Sequence, residues 1–271
     1  MCITEINGIA LYKSEIFSGY KNLVHGFTTR KGGVSEGAYE SLSMSPRRGD
    51  DILCVRKNEE ILCNALSLEL SNLTSTRQEH TDVVRVIKEE DIGIGVSRPW
   101  DEGVDGVITM LEDVPLLCYS ADCVPILFYA DDIKAIGAVH SGWRGTQMKI
   151  AQKAVEKLKE LGGKAENIKA AIGPCIGKCC YEVSDDVALR FLKECRTEKP
   201  DGKFMLDLSY TNRIILEDSG VLKENISESG ICTKCRNDLF FSHRGQGGKS
   251  GTLGGIICMQ SHRKVSERNV L

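Results

Sequence analysis

The stretch that decides the fold reads Pro115-Leu-Leu-Cys-Tyr-Ser-Ala-Asp-Cys-Val-Pro-Ile-Leu-Phe-Tyr-Ala130, then Lys134-Ala-Ile-Gly-Ala-Val-His-Ser-Gly-Trp-Arg-Gly-Thr146. It contains two short apolar runs, at residues 124–130 and 135–139, and each run is bounded by turn residues. Short apolar runs with such boundaries are typical of buried strands. We therefore predict a hairpin of two buried strands.

Two side chains with metal and nucleophile chemistry lie at the ends of this hairpin. Cys123 stands immediately before the first strand, and His140 follows the second. If the strands pair through Asp131-Asp132, the start of one lies beside the end of the other. The pattern thus predicts a thiol and an imidazole at one sheet edge, a candidate metal or nucleophile site that needs a third ligand from elsewhere.

The bulk composition is that of an ordinary globular protein. Of its 271 residues, 41% are hydrophobic and 27% charged, and the net charge is −3. Neither Lys nor Arg forms a long run, which argues against nucleic acid or an anionic membrane as the main partner. No apolar stretch approaches the roughly 20 residues of a membrane span. Met1-Cys-Ile-Thr-Glu-Ile shows no signal-peptide pattern, so we expect a cytoplasmic protein.

Twelve cysteines are many for a chain of this kind. Without an export signal, reduced thiols with some metal ligands among them are a better interpretation than a disulfide framework. Cys232-x-x-Cys235 could form a closed zinc site with Cys175 and either Cys179 or Cys180. The alternatives are unlinked thiols near one another or disulfides.

Helices and strands mix along the chain without strict alternation, which favours the α+β class over a doubly wound sheet. Predicted helices begin after Asp50 or Asp51, with inward Ile52 and Val55, and after a Thr146 cap. Two further helices are predicted. The helices cover residues 52–66, 147–161, 184–195 and 208–219, and the strands outside the hairpin cover residues 23–29, 80–87, 104–109, 168–172, 239–244 and 253–259.

The five histidines limit the choice of metal ligands: His25, His80, His140, His243 and His262. A catalytic zinc takes three protein ligands and leaves one position open. The best trio is His80, Cys123 and His140, each at the edge of a predicted strand. The alternative is a buried cysteine with two hydrogen-bonded histidines.

Other chemistry is open to the same residues. Cys123 could be a nucleophile with His140 as its base, and Asp122 could orient that base or act as a general acid. Two His and one Cys also suit copper when a weak axial Met is present. A multicopper oxidase needs many more histidines, so laccase chemistry is improbable and copper is less favoured than zinc.

A series of motifs runs in order along nearly the whole chain. They are His25-Gly-Phe-Thr-Thr-Arg30, Gly32-Gly-Val-Ser35, Arg48-Gly-Asp-Asp51, Gln78-x-His80, Asp105-Gly-Val107, Ser120-Ala-Asp-Cys-Val-Pro125, Ala138-Val-His-Ser-Gly-Trp-Arg-Gly-Thr146, Gly173-Pro-Cys-Ile-Gly177, Cys180-Tyr-Glu-Val183 and Phe240-Phe-Ser-His-Arg244. With these motifs the chain resembles the bacterial purine nucleoside phosphorylase family. Members of that family are YfiH-like, were formerly described as multicopper polyphenol oxidases or laccase-like proteins, and are also called peptidoglycan editing factors.

The resemblance implies a single domain over residues 1–271 with a layered α/β/β/α sandwich of mixed sheets. It also implies a zinc ion held by His80, Cys123 and His140. The implied reactions are phosphorolysis of adenosine, inosine and S-methyl-5′-thioadenosine to base and (methylthio)ribose 1-phosphate, and deamination of adenosine to inosine. Purine nucleosides and phosphate are the implied small-molecule partners.

Charge and closeness to the ligand motifs indicate the remaining site residues. Arg48, Arg144 and Arg244 are candidates for binding phosphate, and Asp122 is the candidate acid or base. Ser43 stands where family members often have Asn, and Gly245 where they often have a second Arg, so substrate contacts at these positions differ from the family pattern.

Two further functions remain open at this point. One is a cytoplasmic amidase that edits peptidoglycan precursors. In that case the water on the same zinc would attack an amide carbonyl. The other is a non-enzymatic redox sensor whose cysteines respond to oxidation. The preferred purine and the oligomeric state are not predicted.

Overall fold

The computed structural model describes residues 3–261. Within that range the helices are α1 (Ile52–Leu66), α2 (Trp143–Gln147), α3 (Ile150–Glu160), α4 (Asp185–Ala188) and α5 (Leu208–Asp218). The strands are β1 (Ile3–Ile6), β2 (Ile9–Tyr12), β3 (Leu23–Thr28), β4 (Thr74–Ser75), β5 (Val84–Val86), β6 (Gly106–Thr109), β7 (Leu116–Ser120), β8 (Val124–Ala130), β9 (Ala135–Ser141), β10 (Ile168–Ile172), β11 (Glu182–Val183), β12 (Arg196–Glu198), β13 (Phe204–Leu206), β14 (Ile226–Glu228) and β15 (Leu253–Met259).

Two six-stranded sheets carry the fold. The first has the order β1-β2-β3-β15-β7-β4, the second has the order β14-β10-β8-β9-β6-β5, and a small third sheet has the order β11-β13-β12. Most neighbours are antiparallel, but β4 with β7, β5 with β6 and β10 with β14 are parallel. Both large sheets are therefore mixed, as expected.

The two large sheets pack face to face through one buried apolar cluster. Leu127 and Tyr129 of β8 lie in this cluster with Phe27, Cys118 and Ile257 of the first sheet. Successive residues of a strand point to opposite faces, so the neighbours of Leu127 point away from the first sheet. The inner layer is thus a sandwich of two sheets.

Helices cover the outer face of each sheet. On the second sheet, Ile126 and Phe128 share a cluster with Val155 of α3. On the first sheet, Leu117 and Ile256 share another with α1. The layers therefore run helix, sheet, sheet, helix, and the predicted α+β class with its α/β/β/α sandwich is confirmed. No helix within residues 3–261 combines the length and the apolar character needed to cross a bilayer.

The predicted hairpin is confirmed as β8 and β9. Its antiparallel register places Val124 opposite Ser141 and Pro125 opposite His140. Cys123, one residue before β8, therefore lies next to the end of β9. The fold-deciding stretch brings the predicted thiol and imidazole to the same sheet edge.

Two predicted boundaries near the site are wrong. The strand expected from His80 begins only at Val84, because His80 has a left-handed φ of 58° and its N–H donates to the Asp105 side chain. The helix expected after a Thr146 cap begins after Lys149, whose φ is 59°. Thr146 instead lies in α2.

Three more predictions do not match the structure. Residues 239–244 form turns rather than a strand, since the Leu239 and Phe240 amides donate to the Arg236 carbonyl. The helix predicted over 184–195 stops after α4, and the next leucines are exposed. Ile52 at the start of α1 is 48% exposed rather than inward. Of the two predicted N-cap candidates of α1, Asp50 and Asp51, the structure selects Asp51.

Candidate metal centre

The structure brings His80, Cys123 and His140 together as one cluster. Their candidate ligand atoms all lie within 4.8 Å of one another. The Cys123 Sγ is 3.9 Å from the His80 Nε2, and the two imidazole rings meet edge to face with centroids 5.0 Å apart. Three side chains from separate segments thus converge on one point, as the sequence predicted.

A buried carboxylate behind the cluster holds both histidines. Asp105 is completely buried, and its Oδ1 accepts hydrogen bonds from the His140 Nδ1, at 2.7 Å, and from the His80 amide, at 3.2 Å. Its Oδ2 accepts the amides of Glu79, at 3.0 Å, and Thr81, at 2.9 Å, and the Thr81 hydroxyl at 2.8 Å. Asp105 therefore shapes the loop that carries His80.

Asp105 also determines which nitrogen of His140 is available. An ionised carboxylate can only accept hydrogen bonds, so the His140 Nδ1 must carry the proton. The Nε2 is then the nitrogen whose lone pair His140 can offer to a metal. This carboxylate–histidine pairing is the usual support of a histidine that binds a metal. Asp105 begins the Asp105-Gly-Val107 motif, but nothing in its sequence context indicates this role.

The cluster favours a charged thiolate. Burial raises the pKa of Cys123, but the nearby His140 and His80 outweigh it and lower that pKa to about 6. Burial likewise lowers the pKa of His140, while Cys123 and Asp105 raise it to about 9. Each group therefore favours the charged form of the other. A thiolate is the form that binds metals and also the form that acts as a nucleophile.

The backbone at the end of β9 fits tightly against the cluster. A Cβ on Gly142 would lie 2.8 Å from the His80 Cδ2 and 3.1 Å from the Cys123 Sγ. Only glycine allows the chain to pass this close to both side chains. The segment between His140 and Trp143 thus closes one side of the site.

A pocket of about 460 Å³ opens over the cluster. Arg48, Gln78, Tyr119, Ser120 and Thr252 are among the residues that line it with the three candidate ligands. Ser120 and Thr252 are each only 4% exposed, and their hydroxyls have no hydrogen-bond partner among the described residues. Buried polar atoms are usually satisfied, so these two hydroxyls are suited to a bound molecule.

A second pocket of about 590 Å³ continues from the first. The two share Ser45, Arg47 and Tyr119, and the second reaches Trp100. Gln78 holds the shared residue Tyr119 in place, because its side-chain amide donates to the Tyr119 carbonyl at 2.8 Å and its oxygen accepts the Tyr119 amide at 2.6 Å. The space over the cluster therefore extends well beyond one ion.

Of the three predicted phosphate-binding arginines, the structure places only Arg48 in this pocket. Its Nη1 donates to the Nδ1 of His243 at 3.0 Å, and burial together with the Arg48 charge lowers the pKa of His243. Arg144 is exposed and lies 4.7 Å over the Trp143 ring. Arg244 donates to the Glu182 carbonyl at 2.9 Å.

Asp122 and Ser43 are held by protein contacts rather than directed into the pocket. The Asp122 Oδ1 accepts the Thr233 hydroxyl and its Oδ2 accepts the Arg244 amide, both at 2.7 Å. Ser43 is completely buried, and its hydroxyl accepts the Thr252 amide at 3.3 Å. Ser43 is therefore bonded to Thr252, which lines the pocket, and is not itself among the described residues that line it.

Comparison with known proteins identifies the family. A sequence profile described as "Multi-copper polyphenol oxidoreductase laccase" matches residues 24–260. The purine nucleoside phosphorylase YlmD of Bacillus subtilis is 36% identical over 250 residues, which cover 89% of this chain and 90% of that protein. A protein from an unknown prokaryote named an adenosine deaminase is 35% identical over 86% of this chain and 93% of its own.

Solved structures agree with the sequence comparison. The crystal structure of YlmD from Geobacillus stearothermophilus superimposes with a TM-score of 0.88 at 34% identity, covering 95% of this chain and 98% of that one. A Bacillus licheniformis protein titled hypothetical protein YfiH gives the same TM-score at 30% identity, covering 94% and 98%. The chain therefore belongs to the laccase-like family that the profile describes, whose relatives include the purine nucleoside phosphorylase YlmD and the protein YfiH.

Proposed function

We propose that this protein is a zinc-dependent purine nucleoside enzyme. It phosphorolyses adenosine, inosine and S-methyl-5′-thioadenosine to free base and (methylthio)ribose 1-phosphate, and it deaminates adenosine to inosine. The observation that carries the proposal is the His80–Cys123–His140 cluster, which opens into a pocket that also contains Arg48. The names of the relatives supply the substrate class.

The residues of the cluster suit zinc. Two imidazoles and one thiolate supply three ligands and leave a position open toward the pocket, which is the arrangement of a catalytic zinc site. A copper electron-transfer site prefers a weak axial methionine, and no methionine is among the described residues that line the pocket.

The family is described as a multicopper oxidoreductase, but the described residues offer too few free histidines to bind several copper ions. Of the other described histidines, His25 is buried with its Nε2 bonded to the Ser14 carbonyl, and His243 is paired with Arg48. His262 lies outside the described residues. Zinc is therefore the metal that we propose.

For phosphorolysis, a phosphate oxygen attacks the ribose C1′, the bond from C1′ to the purine nitrogen breaks, and the base leaves with a proton. A zinc ion in the cluster would supply Lewis-acid polarisation of a reacting oxygen. Arg48 would hold the phosphate through charge-assisted hydrogen bonds. The hydroxyls of Ser120 and Thr252 would bind polar groups of the nucleoside, and Asp105 would keep His140 in its ligand tautomer.

The proposal is tested by offering the purified protein each substrate in turn. Adenosine, inosine and S-methyl-5′-thioadenosine should each yield free base in phosphate buffer, and adenosine should also yield inosine and ammonia when phosphate is omitted. Chromatography separates these products. If none of the three substrates is converted, the proposal fails, and peptidoglycan precursors become the next substrates to test. The cytoplasmic location and the extent of one domain over residues 1–271 remain predictions.

Replacing Arg48 by alanine is expected to weaken phosphate binding. A hydrogen bond to a charged group contributes about 1.5–3 kcal/mol, so the KM for phosphate should rise roughly 10- to 100-fold. Arg144→Ala is the matched control, since Arg144 is exposed outside the pocket and its loss should change that KM less than about twofold. Steady-state kinetics at varied phosphate concentration distinguish the two. A larger effect for Arg144 would contradict the placement of the anion.

Asp122→Asn separates a positioning role from the predicted acid–base role. An Asn side chain can accept only one of the two hydrogen bonds from Thr233 and Arg244, and a lost hydrogen bond costs about 1 kcal/mol. We expect a Tm about 2–4 °C lower and activity within roughly tenfold of wild type. If Asp122 transfers the proton instead, the rate should fall by about 10²–10⁴ and one limb of the pH–rate profile should disappear.

A further inference from the structure

Four cysteines form a second cluster away from the pocket. Cys179 and Cys180 come from the loop between β10 and β11, and Cys232 and Cys235 come from the turn after β14. All four sulfurs lie within 4.8 Å of one another. The Cys235 Sγ is 3.7 Å from that of Cys179 and 3.5 Å from that of Cys180.

These separations are those of ligands around one ion. A disulfide requires a distance of about 2.05 Å between bonded sulfurs. Zinc bonds thiolate sulfur at about 2.3 Å, and a tetrahedron with this radius has edges of about 3.8 Å. The Cys179–Cys235 and Cys180–Cys235 separations are close to that edge length. These two separations, with all four sulfurs within 4.8 Å of one another, fit ligands around one ion better than bonded pairs.

The backbone is fitted around the sulfurs. The amides of Gly177 and Cys235 are hydrogen-bonded to the Cys232 sulfur, and the Arg236 amide donates to the Cys232 carbonyl at 3.0 Å. A Cβ on Gly177 would lie 3.2 Å from the Cys232 Cβ and 3.3 Å from the Cys179 Sγ. The backbone therefore encloses the Cys232 sulfur closely on this side of the cluster.

The ligand set differs from the one expected from sequence spacing. Cys175 is only 4% exposed and packs in the apolar cluster beneath α3. Its backbone bridges to Cys232, with its amide bonded to the Ile231 carbonyl and its carbonyl to the Thr233 amide. Cys175 thus aligns the two segments through its backbone. The cluster contains both Cys179 and Cys180, whereas the predicted set had Cys175 and only one of these two.

We propose that Cys179, Cys180, Cys232 and Cys235 bind a second zinc ion in a closed, structural site. Four thiolates fill all positions of a tetrahedral zinc, so no position remains for a substrate. Four thiolates around one zinc ion carry a net charge of −2.

The second site would stabilise the first through a short path. Thr233 lies between two of the four cysteines and donates its hydroxyl to Asp122, which directly precedes Cys123. Zinc at the four thiolates joins the loop of Cys179 and Cys180 to this turn. The second zinc would therefore hold Thr233 in place. Thr233 in turn positions Asp122 and the start of β8.

The test is the zinc content of full-length protein purified under reducing conditions without chelator. We expect two zinc ions per chain in the wild type, one in the double variant Cys179→Ser/Cys235→Ser and one in Cys123→Ala. Cys54→Ser is the matched control with a thiol outside both clusters, and it should keep two. X-ray absorption of the ion in Cys123→Ala should show four sulfur neighbours at about 2.3 Å.

The absorption measurement keeps the proposal testable even if the double variant does not fold, because it uses a chain with all four ligands intact. One zinc per wild-type chain that disappears in Cys123→Ala would overturn the second site. A wild-type mass lower by two hydrogens per cysteine pair, which marks a disulfide, would also overturn it. Iron in place of zinc, with visible absorption bands, would overturn the proposed metal.

Discussion

Cys123→Ala is expected to lose the zinc of the His80–Cys123–His140 cluster and to lower kcat/KM for adenosine phosphorolysis by about 10³-fold or more. Two imidazoles alone leave the ion short of its third protein ligand. The rate loss follows because a bound metal contributes several kcal/mol of charge stabilisation in the transition state. Metal analysis and initial-rate measurements on the same preparation check both parts.

Cys54→Ala is the control for this prediction, since Cys54 lies in α1 outside the cluster and should change neither quantity. The experiment also separates the two roles open to Cys123. If Cys123 is a nucleophile rather than a ligand, the variant should lose activity but keep its zinc. Phosphorolysis at the wild-type rate in Cys123→Ala would contradict both roles.

Asp105→Asn is expected to weaken zinc binding at the cluster about 10- to 100-fold, the usual effect of losing a residue that orients a ligand histidine. The asparagine keeps one acceptor oxygen, but its NH₂ group replaces the other. That group would face the backbone amides of Glu79 and Thr81, which are also hydrogen-bond donors. The hydrogen bonds that fix the tautomer of His140 and the loop of His80 are both weakened. Competition with a zinc-binding dye measures the affinity.

Asp132→Asn is the matched control because Asp132 is an exposed carboxylate that caps a surface loop through the Lys164 amide. It should leave zinc affinity unchanged. Equal loss of affinity in both variants would mean that Asp105 acts only through general stability.

Asp105→Asn also has a predictable effect on the stability of the protein in acid. Burial raises the pKa of Asp105, but the hydrogen bond from His140 and the neighbouring amides lower it below its ordinary value overall. A group with a lowered folded pKa stabilises the protein above its unfolded pKa and loses that contribution as pH falls through the folded value. Asp105→Asn should therefore flatten the decline of stability on the acid side.

The parts of the fold that local pattern determines were predicted well. The β8–β9 hairpin follows from two apolar runs and the turn between them, and its register fixes where Cys123 and His140 meet. His80 comes from a distant loop, so its place in the trio depended on ligand supply and family resemblance. The β1–β2 hairpin was missed although Asn7-Gly8, both with positive φ, is a strong hairpin signal.

The residues near the site that the sequence did not place correctly share one physical cause. Asp105 acts by accepting amides from a loop more than twenty residues away, and no local pattern shows such a contact. Arg144 and Arg244 are close in sequence to the ligand motifs, but sequence distance does not determine where a long side chain points. Arg144 stacks on Trp143, and Arg244 bonds to the Glu182 carbonyl.

The most direct test of the central claim is a ³¹P NMR measurement on the zinc-loaded protein with adenosine and inorganic phosphate. We predict a ribose 1-phosphate signal that grows in step with free adenine and is absent from Cys123→Ala. Adenine released together with free ribose would show hydrolysis instead of phosphorolysis. That result, or equal phosphate consumption in Cys123→Ala, would contradict a metal-dependent phosphorylase at the His80–Cys123–His140 cluster.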